Sequence, residues 1–359
     1  MNWSKVRWLL IICLCLADLL LGFLLWRNYR GENTVSRTAI EDAAALLADA
    51  GIRLQPEVVP TDVVADHVFR VPVEDDEYRA VFAALVGSNV SSAYLLPASS
   101  GVSLLFENGD SVEYYHNLYL TYTRNGVDKE GFLAIVNDFS AQNTAGGSFE
   151  ALDRMAAETD IAAAEAFLLA LTPGESSGVR LRPRLTAVYD VKGASSLRLA
   201  VFREEIVYRG RTRNAADLYG TEITVLIRDG CVLYLSGTWI PFLPDETYSI
   251  KKLDQLNILF SERKRHLMLR EEGALDGLDH AAQHTADGCE IVSMERLYYM
   301  LWDDAGMLYL RPSWLLAYHV DQEEGQPLVR TVLCDAVAGN VVRQEEQLLT
   351  AENGAADAG

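Results

Sequence analysis

An apolar stretch near the start of the chain, Trp8 to Trp26, constrains the possible folds more than any other feature. It holds 19 residues, of which only Asp18 is charged. As a helix rising about 1.5 Å per residue it would extend about 28 Å, close to the roughly 30 Å thickness of the hydrocarbon core of a bilayer. A tryptophan at each end suits the membrane interface. The stretch therefore predicts one transmembrane helix.

Two other interpretations of this stretch fit its residues less well. A cleaved signal peptide has a shorter apolar core and a cleavage site of small residues, which this run lacks. Lipoprotein processing needs a small residue before its cysteine, but Ile12 precedes Cys13 and Leu14 precedes Cys15. We therefore expect a retained single-pass anchor. Basic residues are nearly balanced on the two sides of the anchor, so they barely indicate its orientation. The short segment before the anchor suits the cytoplasm, and we therefore expect the rest of the chain to be extracytoplasmic.

The net charge limits the partners of the region after the anchor. The whole chain has a formal net charge of -20. Residues 1–30 contain four Lys or Arg and one Asp, a net +3, so the remainder carries -23. A region this acidic is repelled by nucleic acid and by anionic lipid headgroups. Binding to DNA or RNA is therefore not expected.

Hydrophobic periodicity predicts an α+β region after the anchor. Residues 34–50 place Ala39, Ala43, Leu46, Leu47 and Ala50 on one face of a helix, and residues 153–171 place a similar stripe along another. A further helix is predicted over 249–260, before the basic cluster at 263–265. Asn108-Gly109 and Asp229-Gly230 are typical of tight turns between antiparallel strands.

These elements predict a modular organisation. A weak internal repeat relates two units, each a helix followed by antiparallel strands that end at Gly-X-Val, with Gly230 in one and Gly339 in the other. Such units bury one face of a sheet under a helix. The predicted segments are a cytoplasmic stub and anchor (1–30), an N-terminal α+β module (31–148), two repeated modules (149–246 and 247–346) and a disordered tail (347–359).

Several local patterns could indicate chemistry but fit structural roles better. Gly174 to Gly178 matches G-x-S-x-G, yet a helix and a proline precede it where a nucleophile elbow needs a strand. His280 and His284 could share a helix face and bind zinc, but solvated histidines fit that glycine-flanked stretch better. We therefore expect no catalytic residue, metal or cofactor.

Three further groups of residues have structural readings beside their functional ones. The acidic run 74–77 suits a helix start, where negative charge is favoured. Half-buried sheet positions favour tyrosine, although a tyrosine cluster could bind a ligand. The scattered cysteines after the anchor suggest buried thiols more than a disulfide framework. The tyrosines are Tyr114, Tyr115, Tyr119 and Tyr122, and the cysteines are Cys231, Cys289 and Cys334.

Short motifs in a consistent order resemble known families. Residues 332–341 resemble the closing hairpin of PepSY-like modules, which carry an Asp-Ala pair, here Asp335-Ala336, followed by Gly-X-Val. The start Met1-Asn2-Trp3 and the segment Asp18 to Gly22 resemble the opening of the YycI family, relatives of YycH. The segment Arg311 to Trp314 resembles the Pro-X-Trp strand of that family. The resemblance implies an anchor followed by PepSY-like helix-plus-sheet units.

The resemblance also implies a regulatory function. YycH and YycI are extracytoplasmic partners of the sensor histidine kinase YycG, also called WalK, which controls cell-wall metabolism, and they act largely through their membrane helices. The expected partners are a kinase of this kind, together with a YycH-like protein or a second copy of this chain. The alternative is a bitopic scaffolding protein of the cell-envelope or division machinery.

Asp18 is the expected contact within the membrane. A carboxylate at mid-bilayer costs about 2.5–3.5 kcal/mol on insertion and usually faces a partner. Leu14, Leu21 and Gly22 lie one turn away, and Gly22 would let a partner backbone approach closely on the same face. The alternative is that Asp18 has no partner in the membrane and is tolerated because the rest of the span is very apolar.

Overall fold

A computed structural model describes thirteen stretches of the chain. They are residues 35–61, 67–72, 78–97, 100–141, 148–171, 174, 176, 178–208, 215–242, 244–249, 255–276, 289–320 and 328–348. The predicted membrane span, with Leu14, Asp18, Leu21 and Gly22, lies outside these residues. Within them, no helix combines the length and the apolar character that crossing a bilayer requires.

The described residues form five α-helices and seventeen strands. The helices are α1 (Arg37–Ala48), α2 (Tyr78–Val86), α3 (Lys129–Ala141), α4 (Glu158–Leu171) and α5 (Gln255–Asp276). The strands are β1 (Ile52–Leu54), β2 (His67–Val71), β3 (Val90–Leu95), β4 (Gly101–Phe106), β5 (Ser111–Tyr115), β6 (Tyr119–Thr123), β7 (Phe149–Ala151), β8 (Val179–Val191), β9 (Leu197–Tyr208), β10 (Ala216–Tyr219), β11 (Ile223–Arg228), β12 (Cys231–Thr238), β13 (Glu246–Ser249), β14 (Cys289–Trp302), β15 (Leu308–Val320), β16 (Leu328–Asp335) and β17 (Val341–Leu348).

The fold class is α+β, as predicted, and most strand pairs are antiparallel. Two registered pairs are parallel, β1 with β14 and β10 with β14. Contacts divide the chain into two compact units. The first unit comprises residues 1–66, 251–295 and 314–347, and the second comprises 67–250, 296–313 and 348–359. The strands β14 and β15 each contribute residues to both units.

The second unit contains a nine-stranded antiparallel sheet in the order β3-β4-β5-β6-β12-β11-β9-β8-β7. One face packs against α2 and α4, where Phe82 of α2 and Leu168 of α4 are fully buried. The other face packs in part against α3, through Val136 and Phe139. The sheet is therefore covered by helices on both sides, but unequally.

In the first unit, α1 and α5 contribute to one core with the strands. Ser36 caps α1 by accepting a hydrogen bond from the Ala39 backbone N–H, and Gly51 follows the helix with a positive φ of 81°. Ala43 and Leu47 are completely buried, as the predicted stripe requires. Leu46, however, is 43% exposed. Its side chain therefore lies outside the buried stripe, which the prediction drew too wide.

Two helices differ from the sequence-based expectation. The helix α5 begins at Gln255 and extends through the basic cluster to Asp276, because the arginines there find partners on α5 itself and on α1. Arg265 pairs with Glu262 one turn earlier, and Arg263 Nε donates to the Leu46 carbonyl at 2.9 Å. The helix α3 was not predicted, although Asp128 caps its start by accepting from the Gly131 N–H.

The two segments of the predicted repeat share an element order. The helix α4 is followed by β8 to β12, and α5 is followed by β14 to β17. The turns of both Gly-X-Val hairpins place glycine at positive φ, 73° at Gly230 and 71° at Gly339. The boundaries of the three predicted modules stay a prediction. Pairing of β6 with β12 joins residues from two of them in one sheet, and such pairing leaves no local trace in sequence.

Candidate functional site

A buried group of ionisable side chains lies under α5 in the first unit. The Glu262 side chain is only 2% exposed and accepts from Arg265 Nη2 at 2.7 Å. Tyr318 of β15 donates its hydroxyl to the same carboxylate at 2.8 Å. The thiol of Cys334 on β16 lies 3.7 Å from the other carboxylate oxygen. We call these four residues the Glu262 cluster.

Burial governs the protonation of the Glu262 cluster. Loss of solvent, together with the neighbouring Glu262 charge, raises the pKa of both the Tyr318 hydroxyl and the Cys334 thiol. Burial alone would lower the pKa of Arg265, but its hydrogen bond and charge interaction with Glu262 outweigh this and raise it. The phenol and thiol thus stay protonated, and the Arg265 guanidinium stays charged. A protonated thiol is a poor nucleophile, so this arrangement stabilises the unit and does not favour catalysis.

The tyrosines that crowd together in sequence are separated onto two faces of the second unit's sheet. Tyr114 and Tyr122 point into the core that includes α4 and are 3% and 4% exposed. Tyr115 and Tyr119 are half-buried on the opposite face, where their rings meet edge to face with centroids 5.9 Å apart. This separation follows from the alternation of side chains along a strand.

A row of polar residues crosses the sheet on the face that carries Tyr119. Direct cross-strand pairing aligns five residues on five neighbouring strands. Directly paired residues project to the same face of a sheet. They are Ser103, Glu113, Thr121, Ser236 and Thr224, and we call them the polar strip.

The polar strip is extended by residues at its margins. The Tyr119 hydroxyl shares a short hydrogen bond with Ser236 Oγ, and Lys129 Nζ lies 2.6 Å from Glu113 Oε1. Lys129 and Glu113 are 40% and 23% exposed. Thr121, Ser236 and Thr224 are buried, so the accessible groups are the Lys129–Glu113 pair and the half-buried Tyr115 and Tyr119. We therefore regard these four accessible residues as the candidate binding surface of the second unit.

A hollow of about 330 Å³ lies at the start of α4 in the second unit. Asp160 accepts from the Gly230 N–H at 2.7 Å and pairs with Arg198 at 3.0 Å. Arg198 also donates to the Ala156 carbonyl at 2.8 Å. These charges hold the β11–β12 turn against the helix. Because Asp160 and Arg198 pair with each other and with backbone groups, we assign the hollow a structural role and not a binding role.

Glu204 on β9 is a buried carboxyl that the sequence analysis missed. It is fully buried in the second unit, and its Oε2 accepts from the Ile240 N–H at 3.0 Å. Its Oε1 has no hydrogen-bond partner among the described residues. Burial raises the pKa of this carboxyl well above its usual value, although the hydrogen bond from Ile240 opposes the shift. Its strand also carries Arg198, Arg203 and Glu205, so nothing in the sequence distinguishes Glu204 as the buried charge.

The other predicted site residues are placed as follows. Ser176 bridges to Val179 in a tight turn between α4 and β8, so a helix precedes and a strand follows the G-x-S-x-G match, opposite to a nucleophile elbow. His280, His284 and the run 74–77 lie outside the described residues. Among the described residues there is no group of three or more His, Cys, Asp or Glu suited to a metal ion. The thiols of Cys231, Cys289 and Cys334 are all free.

The fold and these sites define the chain as an α+β protein with a largely antiparallel sheet. No protein-family model matches it, and no curated protein matches its sequence. An uncharacterized protein from Eubacterium rectale is similar in structure with a TM-score of 0.45 and 14% identity, covering 84% of this chain and 98% of that one. The YpeB C-terminal domain of Bacillus megaterium is similar with a TM-score of 0.25 and 9% identity, covering 77% and 99%. Neither similarity is close enough to define a function.

Proposed function

We propose that this chain is a membrane-anchored extracytoplasmic regulator of a sensor histidine kinase that controls cell-wall metabolism. The observation that carries the proposal is the stretch from Trp8 to Trp26, which is long enough to span a bilayer and carries a single charge at Asp18. Because apolar helix faces gain little by meeting in lipid, a lone hydrogen-bonding side chain is the natural contact for another membrane helix.

The motifs of the chain support placing it beside YycI-like and PepSY-like proteins. The Met1-Asn2-Trp3 start, the span and the Asp335-Ala336 pair occur in the order expected for such a protein. Asp335 is 2% exposed and accepts from the N–H groups of Val337 and Ala338, so it caps the closing turn. This capping gives a structural reason for an aspartate at position 335.

The accessible residues of the polar strip and its margins support a protein-binding role for the extracytoplasmic region. The Lys129–Glu113 pair and the half-buried Tyr115 and Tyr119 can recognise a polar partner. The ionisable groups of the Glu262 cluster and Glu204 are instead buried inside their units. Regulation through binding requires only the exposed groups.

The proposal is tested by capturing the full-length chain from cross-linked membranes and quantifying the proteins that accompany it. A matched control replaces residues 8–26 with an unrelated single-pass span and leaves the remainder unchanged. We expect a histidine kinase to accompany the natural chain and to be lost with the replaced span. Enrichment of division or envelope proteins without a kinase would instead favour the scaffolding alternative, and kinase retention with the replaced span would contradict contact through the membrane.

A further inference from the structure

A row of arginines lies on one face of the sheet in the second unit. Arg180, Arg182 and Arg184 occupy alternate positions of β8, so their side chains project to the same face. Arg203 on β9 is paired directly with Arg184 and shares that face. The strand register therefore gathers four guanidinium groups in one place on an acidic chain. We call these four residues the arginine row.

The pairing of Arg184 with Arg203 departs from a general rule of sheet structure. Like charges directly opposite each other on neighbouring strands are destabilising, because the Cβ atoms of such a pair are only about 4.5–5.5 Å apart. Arg184 Nη1 lies 2.6 Å from Asp217 Oδ1, and Arg203 Nη2 lies 3.4 Å from Glu222 Oε2. Departures from local rules in natural proteins are expected at functional sites. A carboxylate from a partner, placed between the two guanidinium groups, would relieve their repulsion.

The arginine row is accessible to such a partner. The side chains of Arg182, Arg184 and Arg203 are 42%, 55% and 49% exposed. The carboxylates that pair with Arg182 and Arg184 are only 11% and 22% exposed. Four arginines against three paired carboxylates leave a local charge of +1, where the whole chain carries -20. Each guanidinium has five N–H donors, so pairing with one carboxylate leaves donors for a second.

The geometry and charge of the row select an extended acidic peptide as its partner. Alternate residues of a strand are about 6.6–6.8 Å apart, and alternate residues of an extended peptide have the same repeat. A planar guanidinium binds a carboxylate through two parallel hydrogen bonds. Nucleic acid and anionic lipid surfaces carry many charges, which the rest of this acidic chain repels, whereas a short segment contacts the row alone. We propose that the arginine row binds an extended segment of another protein with Asp or Glu at alternate positions.

This inference does not rest on the proposed kinase regulation, and the full-length chain in an uncharged detergent can test it. The probe is a fluorescent peptide of about eight residues that alternates Glu with Thr, which is longer than the roughly 13 Å from Arg180 to Arg184. Fluorescence anisotropy measures its binding at about 0.15 M salt, where a Debye length of about 8 Å screens the charges outside the row. Arg184→Gln combined with Arg203→Gln should weaken binding about ten-fold or more, because charge-assisted hydrogen bonds are lost.

The matched control is Arg37→Gln combined with Arg53→Gln. It removes the same charge from side chains of the first unit that are 73% and 59% exposed, and binding should change by less than about two-fold. Circular dichroism should be unchanged in both double variants. A peptide of the same composition with its glutamates in one block should bind more weakly, because fewer of its carboxylates match the repeat of the row.

The proposal would be overturned by the absence of saturable binding, by equal weakening in the two double variants, or by equal binding of the block peptide. Inorganic polyphosphate is a competitor of different chemistry. If it binds more tightly than the peptide through the same arginines, the row belongs to a phosphate polymer and the peptide proposal is wrong. Arg184→Lys keeps the charge but loses the planar fork, so it should bind the alternating peptide more weakly than the parent does.

Discussion

The hydroxyl of Tyr318 donates to Oε2 of Glu262 across 2.8 Å, although the two residues are 56 positions apart in the chain. Both side chains are almost excluded from solvent. A carboxylate in such a place must be compensated by its neighbours, because an unpaired buried charge is strongly destabilising. The bond therefore holds α5 to β15 within the first unit.

Removing this hydroxyl should destabilise the chain. We expect Tyr318→Phe to lower the free energy of unfolding by about 1.5–3 kcal/mol, the usual range for a hydrogen bond to a charged group. Tyr248→Phe is the matched control, because Tyr248 also donates to a glutamate but is 43% exposed. Its effect should stay below about 0.5 kcal/mol. Urea denaturation followed by circular dichroism measures both, and equal losses would contradict the assigned role of Tyr318.

Glu204 should make stability depend on pH. Its pKa is raised by burial in the folded chain, so the folded state keeps its proton while the unfolded state releases it above about pH 4.3. Stability therefore falls as the pH rises from there toward the raised pKa, by about 1.4 kcal/mol per pH unit. Glu204→Gln removes this titration, so it should gain stability over the parent as pH increases from 4 to 8.

The measurement is a set of melting temperatures for the parent and Glu204→Gln across that pH range. Other titrating groups contribute equally to both proteins, so the difference between them isolates Glu204. Glu222→Gln is the control, because its side chain is 51% exposed and its replacement should leave the pH profile nearly unchanged. Parallel profiles for the parent and Glu204→Gln would contradict the inference that the pKa of Glu204 is higher in the folded chain than in the unfolded chain.

Cys231, Cys289 and Cys334 should differ widely in reactivity. Cys231 is exposed, whereas Cys289 and Cys334 are buried, and burial raises the pKa of both buried thiols. Because the thiolate is the reactive form, iodoacetamide at pH 8 should modify Cys231 well before the other two. Peptide mapping by mass spectrometry follows each site, and urea should equalise the rates. Rapid modification of Cys334 without urea would mean that the Glu262 cluster opens readily.

If the proposed function holds, Asp18 should determine coupling to the kinase. Intramembrane hydrogen bonds contribute about 0.6–2 kcal/mol, enough to shift a balanced complex several-fold. We expect Asp18→Leu to weaken the response of a kinase-dependent reporter at matched protein levels without impairing insertion. Asp18→Asn keeps a hydrogen-bonding group and should be tolerated. A parental response from Asp18→Leu, combined with loss of regulation when the extracytoplasmic region is deleted, would place the contact outside the membrane.

Elements specified by nearby residues could be predicted from the sequence. The helix at 37–48 follows from its apolar spacing and the Ser36 cap, and α4 follows from its own buried stripe. Asp229 and Gly230 both adopt positive φ, as a tight hairpin turn requires. The α+β class could be inferred in the same way. Each of these features depends on interactions between residues a few positions apart.

Other features were decided by contacts between distant residues. Glu262, Tyr318 and Cys334 meet only because α5 packs on β15 and β16, and no local pattern reports that meeting. Helix α5 continues through its basic cluster because Arg263 reaches the carbonyl of Leu46, more than two hundred positions earlier. Burial of Glu204 likewise depends on Ile240. Periodicity and turn residues encode local conformation, whereas partners and protonation depend on which elements pack together, and that is a property of the tertiary structure alone.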